Sequence, residues 1–372
     1  MSLTKKDKVL WVTNAFGVGG AEKQMLYMYH IMQEYSDFDI SILYYAKMNT
    51  ELPLDGINAL FVDKDKLGKI QTIKTIHNYI KENNIKIMHA LGGCSANIYG
   101  RAGAVYTKAV SVGAILGKKH FVSFADKLVN SILNLFGNWW TANNMELIPI
   151  LNRDLLFLSN KKIRMLHNGF VPAERIDFKY NEITEYDKQK GKDFVFCAIG
   201  RLQPVKNYSL FIEAASIMLQ NRKNVQFWII GNGDEYDKLK KQIVEKNIQD
   251  KVILWGNRDD VDVALSRCDV FVQTSITEGS PNTIAEAMRA QKPIISTRST
   301  DLSEMIEEEK NGYIVESNSD SLLSAMNNLI LRTEEERIIM GNHSYDLFIK
   351  HFKDDIVAQE YISFYNELLG KR

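Results

Sequence analysis

The sequence predicts an α/β fold of two doubly wound, Rossmann-like domains, each with a parallel sheet covered by helices. Short apolar runs rich in β-branched and aromatic residues alternate with amphipathic segments along all 372 residues. Such alternation is typical of parallel sheets whose strands are joined by crossover helices. The length suits two domains of about 150 to 200 residues each better than one.

The predicted strands fall into two sets with a charged segment between them. In the first half they cover residues 8–13, 39–45, 57–62, 85–90, 109–114 and 162–166, and in the second half 193–199, 225–231, 251–255, 269–274, 293–297 and 312–315. Residues 173–192 are highly charged and show no hydrophobic period, which indicates a connector. We therefore expect an N-terminal domain over residues 1–172, a linker over 173–192 and a C-terminal domain over 193–351.

Two further segments have helical patterns. Apolar residues recur at helical spacing from residue 352 to residue 369, so a C-terminal helix is predicted within residues 352–372, and it could complete either domain. Residues 117–140 are basic at the start, amphipathic in the middle and aromatic at the end. We interpret this segment as an ordinary core-facing helix, with a helix lying on a membrane surface as the alternative.

The amino-acid composition of the chain argues against several classes of protein. The 46 basic and 46 acidic residues balance, so no overall field attracts the chain to nucleic acid. The apolar run at residues 9–12 is far too short for a signal sequence or a spanning helix, and we expect a cytoplasmic protein. Since Cys94, Cys197 and Cys268 are scattered and the seven histidines are dispersed, we predict no metal site and no cofactor.

A pair of carboxylates follows the predicted strand at residues 269–274. Glu278 falls on a polar loop and Glu286 inside the helix that Pro281 is suited to begin. Carboxylates accept hydrogen bonds from sugar hydroxyls, and the free amides at a helix start attract phosphate. A nucleotide sugar offers both groups, although a solvated loop acid and an exposed helix face are the ordinary alternative.

Other strands of the second half end in glycine or basic residues. Gly200 ends one strand and is followed by Arg201 and Lys206, which could bind phosphate oxygens and stabilise a diphosphate leaving group. Exposed basic residues with no ligand are the alternative. The next two strands are followed by Gly231, Gly233 and Arg258. Because strand ends of one parallel sheet share an edge, these clusters predict a single ligand site.

A glycine-rich loop also follows the first strand. Gly17, Gly19 and Gly20 lie just before a helical pattern that contains Glu22. Glycines let a ligand approach the backbone, and the helix start supplies unpaired N–H groups. The spacing lacks the third glycine of the dinucleotide fingerprint, which disfavours a dehydrogenase. A tight turn between strand and helix remains an equal alternative for this loop.

Together these motifs resemble the retaining glycosyltransferases of the GT-B fold, in the family that includes glycogen synthases and mannosyltransferases (glycosyltransferase family 4, group 1). The matching motifs occur in the family's order over nearly the whole chain. They are Gly19 to Glu22, His167-Asn168-Gly169, Gly200-Arg201-Leu202 with Lys206-Asn207, Gly231-Asn232-Gly233, Glu278 to Glu286, and Asn311 to Val315.

The resemblance implies roles for individual residues. Arg201 and Lys206 would bind the donor diphosphate, and Glu278 would bind hydroxyls of the transferred sugar. These three residues are the expected catalytic residues. Glu286 would bind the ribose. The other expected donor-binding residues are Gly17, Gly19, Gly20, Gly200, Gly231, Gly233, Arg258, Ser280, Pro281, Asn282 and Thr283.

The resemblance also implies an arrangement of domains. The N-terminal domain would bind the acceptor, the C-terminal domain would bind the nucleotide sugar across a cleft, and the last helix would cross back to the N-terminal domain. Family members commonly carry a donor-contacting histidine after a strand, but residues 109–116 contain none. His89 and Glu22 are candidates on the acceptor side, with a structural histidine as the alternative for His89.

The expected reaction is metal-independent transfer of a sugar to a hydroxyl of a glycan or a lipid-linked acceptor, with retention of configuration. The leaving diphosphate would itself take up the acceptor proton. The resemblance points to bacterial cell-surface polysaccharide, lipopolysaccharide or capsule synthesis, with a peripheral membrane contact. A nucleotide-sugar epimerase of the same fold and a catalytically silent nucleotide-sugar-binding protein are the alternatives, and the sugar, base and acceptor stay open.

Overall fold

The computed structural model describes residues 6–17, 20–48, 52–118, 121, 123–159 and 162–371. The chain forms two compact units: unit 1 comprises Met1–Gly169 and Asp354–Arg372, and unit 2 comprises Phe170–Lys353. Each unit contains one parallel sheet with helices between its strands. The predicted α/β class with two Rossmann-like domains is confirmed.

Unit 1 contains a parallel sheet in the order β3-β2-β1-β4-β5-β6-β7. The chain first moves outward from β1 to β3, and β4 then pairs with the other side of β1. The sheet therefore reverses its strand order between β1 and β4. The strands are β1 (Lys8–Thr13), β2 (Asp39–Tyr44), β3 (Ala59–Phe61), β4 (Ile87–Ala90), β5 (Val110–Ile115), β6 (Trp139–Ala142) and β7 (Ile163–Met165).

Most helices of unit 1 bury one face against its sheet, with α5 (Phe124–Leu133) as the exception. In α3 (Lys69–Glu82), for example, the buried residues are Thr72, Ile76 and Ile80, one helical turn apart. The helices are α1 (Gly20–Tyr35), α2 (Lys64–Leu67), α3 (Lys69–Glu82), α4 (Cys94–Ala104), α5 (Phe124–Leu133), α6 (Ile148–Asp154) and α14 (Asp354–Leu368).

The prediction of one helix over residues 117–140 is wrong. Helix α5 occupies only Phe124–Leu133, and strand β6 begins at Trp139. Trp140 is fully buried in the sheet, where it pairs with Gly113 of β5 and Ile163 of β7. Aromatic residues favour strands, but two adjacent tryptophans are too short a run to reveal one.

The C-terminal helix α14 completes the core of unit 1. Val357, Tyr361 and Tyr365 are buried on its inner face, in one cluster with residues of α1 and the sheet. The Trp11 Nε1–H group of β1 donates a hydrogen bond of 2.8 Å to the Tyr365 hydroxyl. The two ends of the chain therefore share one hydrophobic core.

Unit 2 contains a six-stranded parallel sheet in the order β10-β9-β8-β11-β12-β13. All six strands lie where the sequence predicts them, within a residue or two at each end. They are β8 (Phe194–Ile199), β9 (Val225–Ile230), β10 (Val252–Gly256), β11 (Val270–Gln273), β12 (Ile294–Thr297) and β13 (Gly312–Val315).

Helices cover both faces of this second sheet, and each face has its own hydrophobic cluster. They are α7 (Glu185–Lys190), α8 (Tyr208–Asn221), α9 (Tyr236–Glu245), α10 (Val261–Arg267), α11 (Asn282–Arg289), α12 (Ser319–Leu331) and α13 (Glu334–His351). Across the described ranges, no helix combines the length and the apolar character needed to cross a bilayer.

The segment predicted as a linker, residues 173–192, lies within unit 2. It contains α7, whose Tyr186 is fully buried and lies with its ring centroid 4.6 Å from that of Trp255. The high charge of the segment reflects its outer surface. Two buried aromatic residues, Phe178 and Tyr186, attach it to the core, and such an attachment leaves no period in the sequence.

Candidate functional site

The carboxyl ends of all six strands of unit 2 lie at one edge of its sheet, because the strands are parallel. At this edge the strand order reverses between β8 and β11, which pair through Phe196 and Val270. Open α/β sheets bind ligands at such a reversal. Lys206 lies on the loop after β8, and Glu278 lies on the loop after β11.

Lys206 and Glu278 form an ion pair at this reversal. The distance from Lys206 Nζ to Glu278 Oε1 is 2.6 Å, and the side chains are 23% and 13% exposed. Hydrogen bonds join the two loops behind the pair: Thr274 Oγ1 donates to the Lys206 carbonyl at 2.9 Å, and the Ile276 amide donates to the Val205 carbonyl at 2.8 Å. The backbone therefore holds both charged groups in place.

The Glu278 carboxylate is anchored through one oxygen. Besides Lys206, the Gln273 Nε2–H group and the Ser275 hydroxyl donate to Oε1, at 3.1 and 2.6 Å. Within the described part of the chain, Oε2 accepts no hydrogen bond. A carboxylate oxygen has two lone pairs, so Oε2 can accept hydrogen bonds from the hydroxyls of a ligand.

The glycine loops beside this pair pack backbone against backbone. Gly200, Gly231 and Gly233 have φ angles of +148°, +140° and +158°, which other residues rarely adopt. A Cβ atom on Gly231 would lie 2.0 Å from the Gly200 carbonyl oxygen, and one on Gly233 would lie 2.5 Å from the Leu202 carbonyl oxygen. These positions require glycine because the two loops touch.

The loop from Glu278 leads into helix α11. Pro281 is the residue before the helix, and Asn282 and Thr283 begin it. Ser280 lies on the loop, and Glu286 is partly buried one turn further along the helix. The first helical turn follows closely after Glu278, so a ligand at the strand edge could contact both an acid and the backbone at a helix start.

The two arginines predicted for the site differ in their surroundings. Arg201 follows β8 and is exposed, and its guanidinium makes no hydrogen bond or ion pair with any described residue. Arg258 instead binds the Asp260 carboxylate through Nε and Nη2, at 3.0 and 2.9 Å, and lies over the ring of Tyr186. The hydrogen bond to Asp260 raises the pKa of Arg258. These contacts hold the Arg258 side chain in place within unit 2, and its assignment to donor binding stays a prediction.

The glycine loop of unit 1 is described only in part. Gly17 is buried, Gly20 begins α1 and is exposed, and Glu22 lies partly buried in the first turn of that helix. Gly19 lies outside the described residues. The assignment of this loop to donor binding stays a prediction.

His89 is a buried residue of strand β4. It is 0% exposed, with Nδ1 3.0 Å from the Tyr365 hydroxyl and Nε2 2.9 Å from Thr141 Oγ1. Burial lowers its pKa to about 3, so the ring is neutral. These contacts correct the acceptor-side prediction for His89 in favour of the structural alternative. The apolar strand around it was the signal for that alternative.

Sequence reasoning missed two residues that support the carboxylate. Gln273 and Ser275 are both buried and both donate to Glu278. Polar residues at the end of the apolar run of β11 could have identified them, because a buried polar group needs a partner.

Comparison with known proteins agrees with this geometry. Residues 181–346, nearly all of unit 2, match the family model "Glycosyl transferases group 1". An Escherichia coli relative, UDP-Gal:alpha-D-GlcNAc-diphosphoundecaprenol alpha-1,3-galactosyltransferase, is 26% identical over 309 residues, which cover 77% of each chain. Unit 2 carries the domain of the group 1 glycosyl transferases. The family predicted from the motifs is thereby confirmed.

A second relative matches a shorter region of the chain. The poly(ribitol-phosphate) alpha-N-acetylglucosaminyltransferase of Staphylococcus aureus is 28% identical over 177 residues, covering 45% of this chain and 34% of the relative.

Solved structures share the fold. The Anabaena protein Alr3699/HepE, crystallised in complex with UDP, has a TM-score of 0.81 at 20% identity, covering 97% of this chain and all of that one. A glycosyltransferase from Rickettsia africae has a TM-score of 0.82 at 20% identity, covering 98% and 99% of the two chains. At this identity the likeness shows the fold.

Proposed function

We propose that this glycosyltransferase moves a sugar, with retention of configuration, from a nucleoside diphosphate sugar to a hydroxyl of a glycan or lipid-linked acceptor. The observation that carries the proposal is the Lys206–Glu278 pair at the reversal point of unit 2. A cation suited to a diphosphate and an acid suited to sugar hydroxyls lie side by side there.

The pair would exchange partners when a donor binds. Without a donor, Lys206 balances the charge of Glu278. A diphosphate brings stronger negative charge, so it would draw the Lys206 ammonium and the exposed Arg201 guanidinium toward its oxygens. Glu278 would keep its bonds from Gln273 and Ser275 and accept sugar hydroxyls through Oε2. Each partner of the ion pair would then bind one half of the donor.

The chemistry follows from this arrangement. As the bond to the diphosphate breaks, Lys206 and Arg201 would stabilise the charge that develops on the leaving group. The leaving diphosphate would accept the acceptor proton, so the proposed reaction needs no separate base. These cationic side chains supply the positive charge in the proposal, which includes no metal ion and no cofactor. Glu286 would bind the ribose.

The proposed donor is a UDP-sugar, and the proposed acceptor is carried on a lipid or a polymer. Alr3699/HepE is crystallised with UDP and with UDP-glucose. The relatives from E. coli and S. aureus are named for a diphosphoundecaprenol-linked acceptor and for poly(ribitol-phosphate). By analogy we place this chain in bacterial cell-surface polysaccharide synthesis, in the cytoplasm at the inner face of the membrane.

The test removes the charge of Lys206. In Lys206→Ala, turnover should fall by about 100-fold or more, the cost typical of removing one group that stabilises developing charge. Turnover is measured as nucleotide release from a panel of UDP-sugars, with acceptor lipid extracts present and absent. Turnover close to that of the parent protein would refute the role of Lys206.

A matched control lies at the opposite edge of the same sheet. Lys251 Nζ also lies 2.6 Å from its partner, Asp193 Oδ2, and the side chains are 32% and 19% exposed. These residues lie just before β10 and β8, at the amino ends of the strands. Lys251→Ala should therefore keep parental turnover. Formation of an isomerised donor without acceptor would indicate an epimerase, and donor binding without nucleotide release would indicate a silent binding protein.

A further inference from the structure

Helix α5 of unit 1 has its polar and apolar faces reversed. The residues that it and the following turn bury are mostly polar: Asn130 is 0% exposed, Ser131 2% and Asn134 4%. An ordinary surface helix buries its apolar face and exposes its polar face. The sequence prediction of a core-facing helix is therefore wrong for this face.

A buried polar network fixes this orientation. Arg101 of α4 donates from Nη2 to Asn134 Oδ1 at 2.7 Å and to the Gly137 carbonyl at 2.6 Å. Trp140 Nε1–H also donates to Asn134 Oδ1, at 2.9 Å, and the Arg101 guanidinium lies 4.7 Å from the Trp140 ring. Because buried polar groups need partners, rotating α5 to bury its apolar side would leave this network unsatisfied. The reversal is therefore a stable feature of the unit.

The outward side of α5 and its following turn is apolar. Phe124 is 80% exposed, Leu128 44%, Ile132 46%, Leu135 61% and Phe136 50%. We call these five residues the α5 face. Exposed Tyr106 extends it, with its ring centroid 5.6 Å from that of Phe136. A contiguous exposed apolar patch of this kind marks an interaction surface.

The chain around the α5 face is basic. Residues 102–164, which leave out the buried Arg101, contain eight Lys or Arg and three Asp or Glu, whereas the whole chain has 46 basic and 46 acidic residues. One of these acids, Asp154, is shared by two cations, at 3.0 Å from Lys127 and 2.8 Å from Arg153. The surplus of positive charge complements an anionic surface.

The α5 face begins near the edge at which a ligand of unit 1 would lie. Helix α5 follows β5, so its first residue, Phe124, comes after the carboxyl end of that strand. Ligands of open parallel sheets bind beyond these ends. A surface to which α5 attached would therefore lie beside the edge of unit 1 where an acceptor is expected.

We propose that the α5 face docks this chain onto an anionic lipid bilayer. The apolar side chains would enter the headgroup region, and the surrounding lysines and arginines would lie among the anionic headgroups. Because no described helix is suited to spanning a membrane, the attachment would be peripheral. The inference rests on the proposed function, in which a lipid-linked acceptor is presented at a membrane.

The experiment is flotation of the full-length protein with vesicles. The vesicles contain equal parts of phosphatidylglycerol and phosphatidylcholine, or phosphatidylcholine alone. The parent protein should float with the anionic vesicles, more weakly with the neutral ones and more weakly at high salt. Leu128→Ser combined with Ile132→Ser should reduce binding about tenfold or more, because two apolar side chains no longer enter the bilayer.

The control carries the same chemical change on unit 2. Ile338 and Ile339 of α13 are 54% and 67% exposed, and Ile338→Ser combined with Ile339→Ser should bind as the parent does. Thermal melts followed by circular dichroism check that both variants are folded. Equal flotation of the two double variants, or no flotation of the parent, would overturn the proposal. A parental dimer that Leu128→Ser with Ile132→Ser converts to a monomer would assign the face to a second copy and overturn it too.

Nucleotide release from the donor is measured separately, without vesicles. Loss of flotation with normal release would show that the α5 face serves docking and not the donor site. Flotation by a protein that releases no nucleotide from any UDP-sugar would instead contradict the proposed function and leave the docking surface standing.

Discussion

Gly231 offers a direct test of why the glycine loops of unit 2 have their shape. A Cβ atom at this position would lie 2.0 Å from the Gly200 carbonyl oxygen, and real Cβ atoms do not come within 3.0 Å of such an atom. In Gly231→Ala the loops must therefore separate by about 1 Å or more. The Gly200 amide would move away from the Ile230 carbonyl, with which it forms a 2.9 Å hydrogen bond.

The expected cost can be added up from these changes. One lost backbone hydrogen bond contributes about 1 kcal/mol, and alanine at φ +140° adds about 1 to 3 kcal/mol of strain. The free energy of unfolding should therefore fall by about 2 to 4 kcal/mol. Donor binding should weaken by about tenfold or more, because the displaced loop carries Arg201 and Lys206.

The assays are urea denaturation and calorimetric titration with UDP. Gly256→Ala is the matched control, because Gly256 also has a positive φ, +70°, but no atom lies within 4 Å of its Cβ position. It should cost about 1 kcal/mol from the backbone alone and leave UDP binding intact. Equal destabilisation by the two substitutions would refute the argument that contact between the loops requires glycine at position 231.

Two predictions concern the core of unit 1. In Tyr365→Phe, Trp11 Nε1 and His89 Nδ1 lose their shared hydroxyl partner, so the free energy of unfolding should fall by about 2 to 4 kcal/mol in urea denaturation. Tyr361→Phe removes a hydroxyl of the same helix that bonds to no described residue, and a cost as large as that of Tyr365→Phe would contradict the reasoning. The second concerns pH: burial lowers the pKa of His89 from 6.5 to about 3, so below pH 6.5 the unfolded chain binds a proton that the folded chain does not. The free energy of unfolding should then fall by up to about 1.4 kcal/mol for each pH unit between pH 6.5 and about 3. In denaturation experiments across that range, the free energy of unfolding should change less steeply with pH for His89→Gln than for the parent. An unchanged slope would assign the pH dependence to other groups.

The four central strands of unit 2 could be predicted because they are largely buried on both faces. Such strands appear as continuous apolar runs, and Val225–Ile230 and Val270–Gln273 are two of them. Strand β6 could not be predicted in this way. Its four residues, Trp139–Ala142, follow α5 after a short turn, and a run of that length has no distinct period.

Much of the candidate site could also be predicted from the sequence. Lys206, Glu278 and the glycines stand out because few residue types can bind phosphate or leave room for it. Their spacing could not show that Lys206 and Glu278 form an ion pair, since that depends on β8 lying next to β11. Nor could it show that Arg258 is bound to Asp260.

The sequence by itself determined the fold class, the family and the residue types available for chemistry, because these depend on local pattern and on short motifs. Tertiary structure alone decided how those residues are used. His89 is neutral because the sheet and α14 remove it from water, and α5 presents its apolar side outward because Arg101 binds its polar side. In both cases the decisive partners are distant in sequence. Burial and hydrogen bonding depend on which residues are neighbours in space, and only the tertiary structure brings those residues together.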